Sequence, residues 1–148
     1  MTSIQRLARR HAHGGQASVE ALLVLMILGL VIFGGIELSQ GVALRQALDS
    51  GASAAARALS LDPAQWGFAS GLVQQTVDLN AMGASTPVTV RIYDASQTER
   101  SAAWLSGSPF GTTFLLEASA PFQSVIPFLA TSSISVRVRH WSIVERYP

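Results

Sequence analysis

The sequence predicts an α+β chain: a long N-terminal helix, a second helix and a small antiparallel sheet. Three observations predict it. The run from Ala21 to Ile36 carries no charge, and it leads without a break into an Ala-rich stretch ending near Leu59. Asp62-Pro63-Ala64-Gln65 has the residue types that open a helix. Beyond Pro87, three stretches are apolar or alternate between apolar and polar residues, as strands do. At 148 residues the chain is one domain's worth with an appended helix. The segments read as a basic leader (1–15), a long helix (16–60) whose membrane part is about 21–36, and a small α+β domain (61–148).

The first helix is expected from Ala17 to about Leu59. "ELSQGVALRQALDSGASAAARAL", Glu37 to Leu59, puts Leu38, Val42, Ala43, Leu48 and Ala52 near one stripe, which should pack on the domain. Gly34, Gly35, Gly41 and Gly51 weaken the helix at ~1 kcal/mol each against Ala. In lipid, small residues also let neighbouring helices approach closely. Such a helix would be about 65 Å long, out of scale with a compact soluble domain of this size.

The second helix reads as Asp62 (N-cap), Pro63 (first turn) and Gln65 (capping box), running to about Ala81. Trp66, Ala69, Val73, Val77 and Asn80 recur at helical spacing, and Gly83 to Pro87 end it. In "TPVTVRIYD", Val88, Val90 and Ile92 share one face of a strand, and Thr89, Arg91 and Tyr93 the other. Ala95 to Gly111 reads as a long loop. "TTFLLEASAPF" is a second strand ended by Pro121, and Phe122 to Ala130 a short apolar turn or helix around Pro127. The last strand, Ser132 to Val144, alternates Ile134, Val136 and Val138, then changes phase at Trp141 and Ile143. A bulge near His140 accounts for the switch.

Composition excludes several chemistries. The apolar fraction is 49% and the charged fraction only 13%. With no cysteine there are no disulfides, no thiolate nucleophile and no Cys-ligated metal. The net charge is +1, and the arginines beyond residue 15 are scattered or close to acids, so there is no basic footprint for nucleic acid. His11 and His13 form a lone H-x-H without a third metal ligand, and His140 reads as a surface or bulge residue. Ser101, Ser106 and Ser108 lack any motif for nucleophilic catalysis. Asp94, Glu99 and Arg100 read as a solvated loop with a partner surface as the alternative, and Trp66, Trp104 and Trp141 as core or loop anchors. Neither a cofactor, a metal nor an enzymatic activity is expected.

The N-terminus admits three readings. Arg6, Arg9 and Arg10, without an acid, precede the apolar run. A secretory peptide needs small residues just past that run, but the nearest Ala-x-Ala lies around Ala52 to Ala56. A plain anchor fits better: the uncharged run covers about 24 Å, and the three arginines orient the N-terminus toward the cytoplasm. It leaves Glu20 unexplained, because a carboxylate costs a few kcal/mol in the bilayer interior. A cut after Gly15 explains Glu20 and the glycines together. The mature chain would begin Gln16-Ala17-Ser18-Val19-Glu20, and Glu20 of one subunit could pair with the new α-amino group of a neighbour. Such a pair fixes axial register, because a misplaced subunit leaves a charge unpaired in low dielectric.

"GGQASVEALLVLMILGLVIFGGIELSQ" resembles a class III prepilin signal, and within the type IV pilin-like proteins it is most similar to the TadE-like minor pilins, or pseudopilins, of tight-adherence (Flp-type) pilus systems. The resemblance rests on "GQASVE" and on a Glu near the outer end of the apolar run, here Glu37. "ASAPFQSVIPFLATSSISVRVRHWSIVERYP", Ala118 to Pro148, resembles the closing part of these proteins, with Arg137, Arg139 and Glu145 near its end. The resemblance implies a pilin-like helix, cleavage between Gly15 and Gln16, an assembly and register role for Glu20, and a membrane-boundary or assembly role for Glu37. It also implies partners: a prepilin peptidase, a major pilin and other minor pilins, a platform protein and a secretion ATPase. The expected protein is single-pass in the cytoplasmic membrane, with its domain outside, and serves pilus assembly and adhesion. The alternative is an uncleaved anchored envelope protein with an extracytoplasmic binding domain.

Overall fold

The structure is a computed structural model that describes the backbone of residues 3–80, 86–122 and 134–145, with side chains from residue 16 onward. Its elements are α1 (Ser3–Leu61), α2 (Trp66–Asn80), β1 (Thr89–Asp94), β2 (Glu99–Arg100), α3 (Ala102–Ser106), β3 (Thr113–Phe122) and β4 (Ile134–Ile143). The chain divides into two compact units, Met1–Glu37 and Leu38–Pro148. The α+β class is as expected. Helical backbone begins at Ser3, ahead of the expected start at Ala17.

In the second unit, Leu44, Ala47, Leu48, Ala52, Ala55, Ala56 and Leu59 of α1 are buried. This three-and-four spacing carries one continuous stripe. The expected stripe is corrected at its beginning: Leu38 and Val42 are exposed, and packing starts at Leu44. The stripe meets Ala69, Val73 and Val77 of α2, which are fully buried. The two helices approach closely at Gly51, where an added Cβ would lie 3.1 Å from the Val73 Cα and 3.1 Å from the Thr76 Cβ.

The sheet is antiparallel in the order β2-β1-β3-β4. Central β3 sends Phe114, Leu116, Ala118 and Ala120 into the helix-facing core. The register sets Ile92 beside Leu116 and Ala118 beside Val138, so the inward face continues across three strands. Gln74 ties α2 to the approach of β1: its Nε2 donates to the Thr86 carbonyl at 3.0 Å, and the Val88 N–H donates to its Oε1 at 2.9 Å.

Four expectations are corrected. First, α2 begins at Trp66, and Asp62 organises the turn before it. The Ala64 N–H donates to Asp62 Oδ1 at 3.1 Å, and Gln65 Nε2 donates to Oδ2 at 2.9 Å. Gln65 thus answers the Asp62 side chain where a capping box would answer its backbone N–H. Second, Ala95 to Gly111 is no loop but contains β2 and α3.

Third, the register from Thr113↔Ile143 to Phe122↔Ile134 runs without interruption, so β4 has no bulge at His140. Trp141 and Ile143 lie on the outer face, where Trp141 is 54% exposed and no core anchor. Fourth, Pro121 does not end β3. It pairs with Ser135, and the strand continues to Phe122. The expected end of the second helix at Ala81 and the turn around Pro127 lie outside the described residues.

Candidate functional site

The candidate site residues lie in the first part of α1. Gln16 and Glu20 are exposed and Glu37 is half-buried, while Gly15 has described backbone only, which is helical. Between them the large apolar side chains from Val19 to Ile36 are 46–66% exposed. The most apolar window of this helix has a mean hydropathy of 2.6, and none of it is buried within the chain. A soluble core helix would bury that surface against its own chain. Here about 0.8 kcal/mol per CH₂ of burial is left for another apolar phase, lipid or neighbouring helices. The helix is long and apolar enough to cross a membrane.

Helical geometry assigns the residues to faces. Val24, Ile27 and Val31 follow Glu20 at four, seven and eleven residues and share its stripe, with Gly34 and Gly35 flanking that stripe further along. A Cβ added at Gly29, Gly34 or Gly35 would meet nothing within 4 Å, so these backbone surfaces are open to a neighbouring helix. Glu37 stands about 26 Å along the axis from Glu20 and about a quarter turn away from that stripe. The two carboxylates therefore bracket the apolar run and do not converge on one point. The arrangement can pack laterally in an apolar medium and present one acid at each end.

Other residues singled out in the sequence have structural partners in the domain. Ser101 caps α3, its Oγ accepting from the Trp104 N–H at 3.3 Å. Ser106 and Ser108 donate to the Ala103 and Trp104 carbonyls. Trp66 and Trp104 pack against the core, and the Arg100 guanidinium lies 5.8 Å from the centre of the Trp104 ring. His140 Nε2 is 3.0 Å from Asp49 Oδ1 on α1. Among the described residues no group of three His, Asp or Glu side chains is placed to hold a metal.

Asp94, expected in a solvated loop, organises a tight hairpin. Its Oδ1 accepts from the Ser96 hydroxyl and from the Ser96 and Thr98 N–H groups, and its Oδ2 accepts from Arg100. These donors, with the Ser96 hydroxyl foremost, hold the Asp94 carboxyl well below the usual carboxylate range.

The sequence reading missed one group altogether. Glu117 projects from the outer face of β3 and is only 4% exposed. Arg139 Nε donates to its Oε2 at 2.7 Å, Arg137 Nε lies 3.4 Å from Oε1, and the Tyr93 hydroxyl is 3.5 Å from Oε1. The signal was present: one carboxylate inside "FLLEASA", with arginines at alternate positions of a neighbouring strand.

No curated protein and no solved structure matches the chain. The family model described as TadE-like protein matches residues 15–57, a span that holds Gly15, Gln16, Glu20 and Glu37, so over this segment the chain is similar to the TadE-like family.

Proposed function

We propose that the protein is a non-enzymatic minor pilin, or pseudopilin, of a Tad (Flp-type) pilus system, acting in pilus assembly and adhesion. The observation that carries this reading is the unburied apolar helix bracketed by Glu20 and Glu37, inside the segment that matches the TadE-like family. The chain inserts with its arginine-bearing end in the cytoplasm and its domain outside, following the distribution of positive charge. A prepilin peptidase cuts between Gly15 and Gln16. Ala21 to Ile36 then leave lipid for a bundle of like helices, where lateral van der Waals packing replaces contacts with lipid tails. Glu20 pairs with the α-amino group of a neighbouring subunit. The major pilin, other minor pilins, a platform protein and a secretion ATPase are the partners of this step.

The test is the N-terminus of the full chain extracted from membranes of cells with an active prepilin peptidase. Sequencing that begins at Gln16 supports the reading. An intact start at Met1 or Thr2 rejects processing and leaves an uncleaved anchored envelope protein.

A further inference from the structure

We infer that the free edge of β4 binds an extended acidic segment of a partner protein, which adds to the sheet as a further strand. Among the described residues β4 pairs only with β3, and no strand lies along its other side from Ile134 to Ser142. An edge of that length is a template for main-chain pairing, and alternate side chains then select the partner.

Those side chains are cationic first and apolar after. Arg137, Arg139 and Trp141 lie on the same face at successive alternate positions, about 7 Å apart. Arg137 and Arg139 are 55% and 49% exposed and share the one carboxylate of Glu117. Beside them a groove of about 490 Å³ runs between β4 and α1, lined by Arg45, Asp49, Arg137, Val138 and Arg139. Arg45 makes no ion pair among the described residues. A second groove of about 400 Å³, farther along α1, includes Arg57, His140 and Trp141, with Glu145 as its one acid.

An incoming strand with carboxylates at two alternate positions, and an apolar or aromatic residue at the next, would meet Arg137, Arg139 and Trp141 in turn. A second copy of β4 suits this edge less well, because antiparallel pairing of two copies about Val138, which overlaps the strands most fully, sets Arg137 against Arg139, and like charges across strands destabilise. This inference goes beyond the proposed function and stands whether or not the leader is removed.

The experiment uses the full chain in phosphatidylcholine nanodiscs and a labelled, end-blocked peptide, Thr-Glu-Thr-Glu-Thr-Tyr-Thr-Glu-Thr-Glu-Thr, which offers the same pattern in both strand directions. Saturable binding above that of empty nanodiscs is expected by fluorescence anisotropy. Affinity should fall at least tenfold when the peptide's Glu residues are replaced by Lys. A similar loss is expected when its alternate backbone nitrogens are methylated, and in the Arg45→Glu/Trp141→Thr variant. That variant keeps both arginines on Glu117, and an unchanged circular-dichroism melt will establish that it folds. Three results each overturn the inference: no saturable binding, equal binding of the methylated peptide (charge attraction without strand pairing), or Ser135→Cys cross-linking between copies along β4.

Discussion

Arg139 donates from Nε to Glu117 Oε2 at 2.7 Å across the β3–β4 ladder, and the two residues are direct register partners. Their burial is unequal: the Glu117 side chain is 5% exposed and that of Arg139 49%. The cost of breaking the pair therefore depends on which partner goes. Glu117→Gln frees two arginines that can turn to water, and should cost about 1–2 kcal/mol. Arg137→Ala/Arg139→Ala leaves a buried carboxylate without its cations, and should cost about 3–5 kcal/mol. Denaturant midpoints of the full chain in a non-ionic detergent test this order. If the glutamate variant is the less stable of the two, the asymmetry argument fails.

Gly51 and Gly71 make a second pair of opposites. At Gly51 an added Cβ lies against α2, including backbone that cannot swing aside, whereas at Gly71 it meets nothing within 4 Å. Gly51→Val should lose about 1–3 kcal/mol to overpacking. Gly71→Ala should gain up to about 1 kcal/mol from helix propensity. Thermal melts in the same detergent read both changes, and opposite signs are the expected result.

These particulars show what the sequence could disclose. Ala69, Val73 and Val77 were legible because one face of a packed helix repeats every three or four residues. Leu38 and Val42 were misplaced because apolar residues in a helix read alike whether they are buried against a domain or left exposed. Trp141 misled in the same way, and assuming that it points inward created a bulge that the continuous register does not contain. The hairpin after Asp94 had local signals in Ser96 and Thr98. The strand Glu99–Arg100 exists only through pairing with β1, and no short window of sequence encodes that. At the N-terminal site the run from Ala21 to Ile36 was legible as a membrane or filament segment, because it is apolar on every face and carries no charge.

Acid should loosen the Asp94 hairpin ahead of the core. Its carboxyl is held below the ordinary carboxylate range, so its contribution is fully present above about pH 4. That contribution is lost as pH falls below this value toward the depressed one. In the full chain, the Ser96 and Thr98 amides should be protected from hydrogen exchange near neutrality and lose protection faster than β3 amides below pH 4. Asp94→Asn keeps the side-chain shape but not the charge that Arg100 pairs with. Protection in this variant should be weaker at pH 6, and the gap from the parent should close in acid. A gap that stays constant with pH would show that charge is not what holds the turn.

The two glutamates of the apolar helix should separate in their effects. Each neutral amide keeps nearly the same volume, so Glu20→Gln and Glu37→Gln both preserve the lateral packing surface of Val24, Ile27 and Val31. In the proposed function it is Glu20, four residues beyond Gln16, that pairs with a neighbour's α-amino group after cleavage. Losing that pair would remove the penalty that disfavours misregistered subunits. In cells producing the full pilus system, Glu20→Gln should therefore leave leader removal intact, while the amount recovered in sheared filaments falls several-fold. Glu37→Gln, about 26 Å farther along the helix, should leave recovery near that of the parent. Equal recovery for all three chains would mean that axial register is set elsewhere, by shape along the apolar stripe and not by charge at its end.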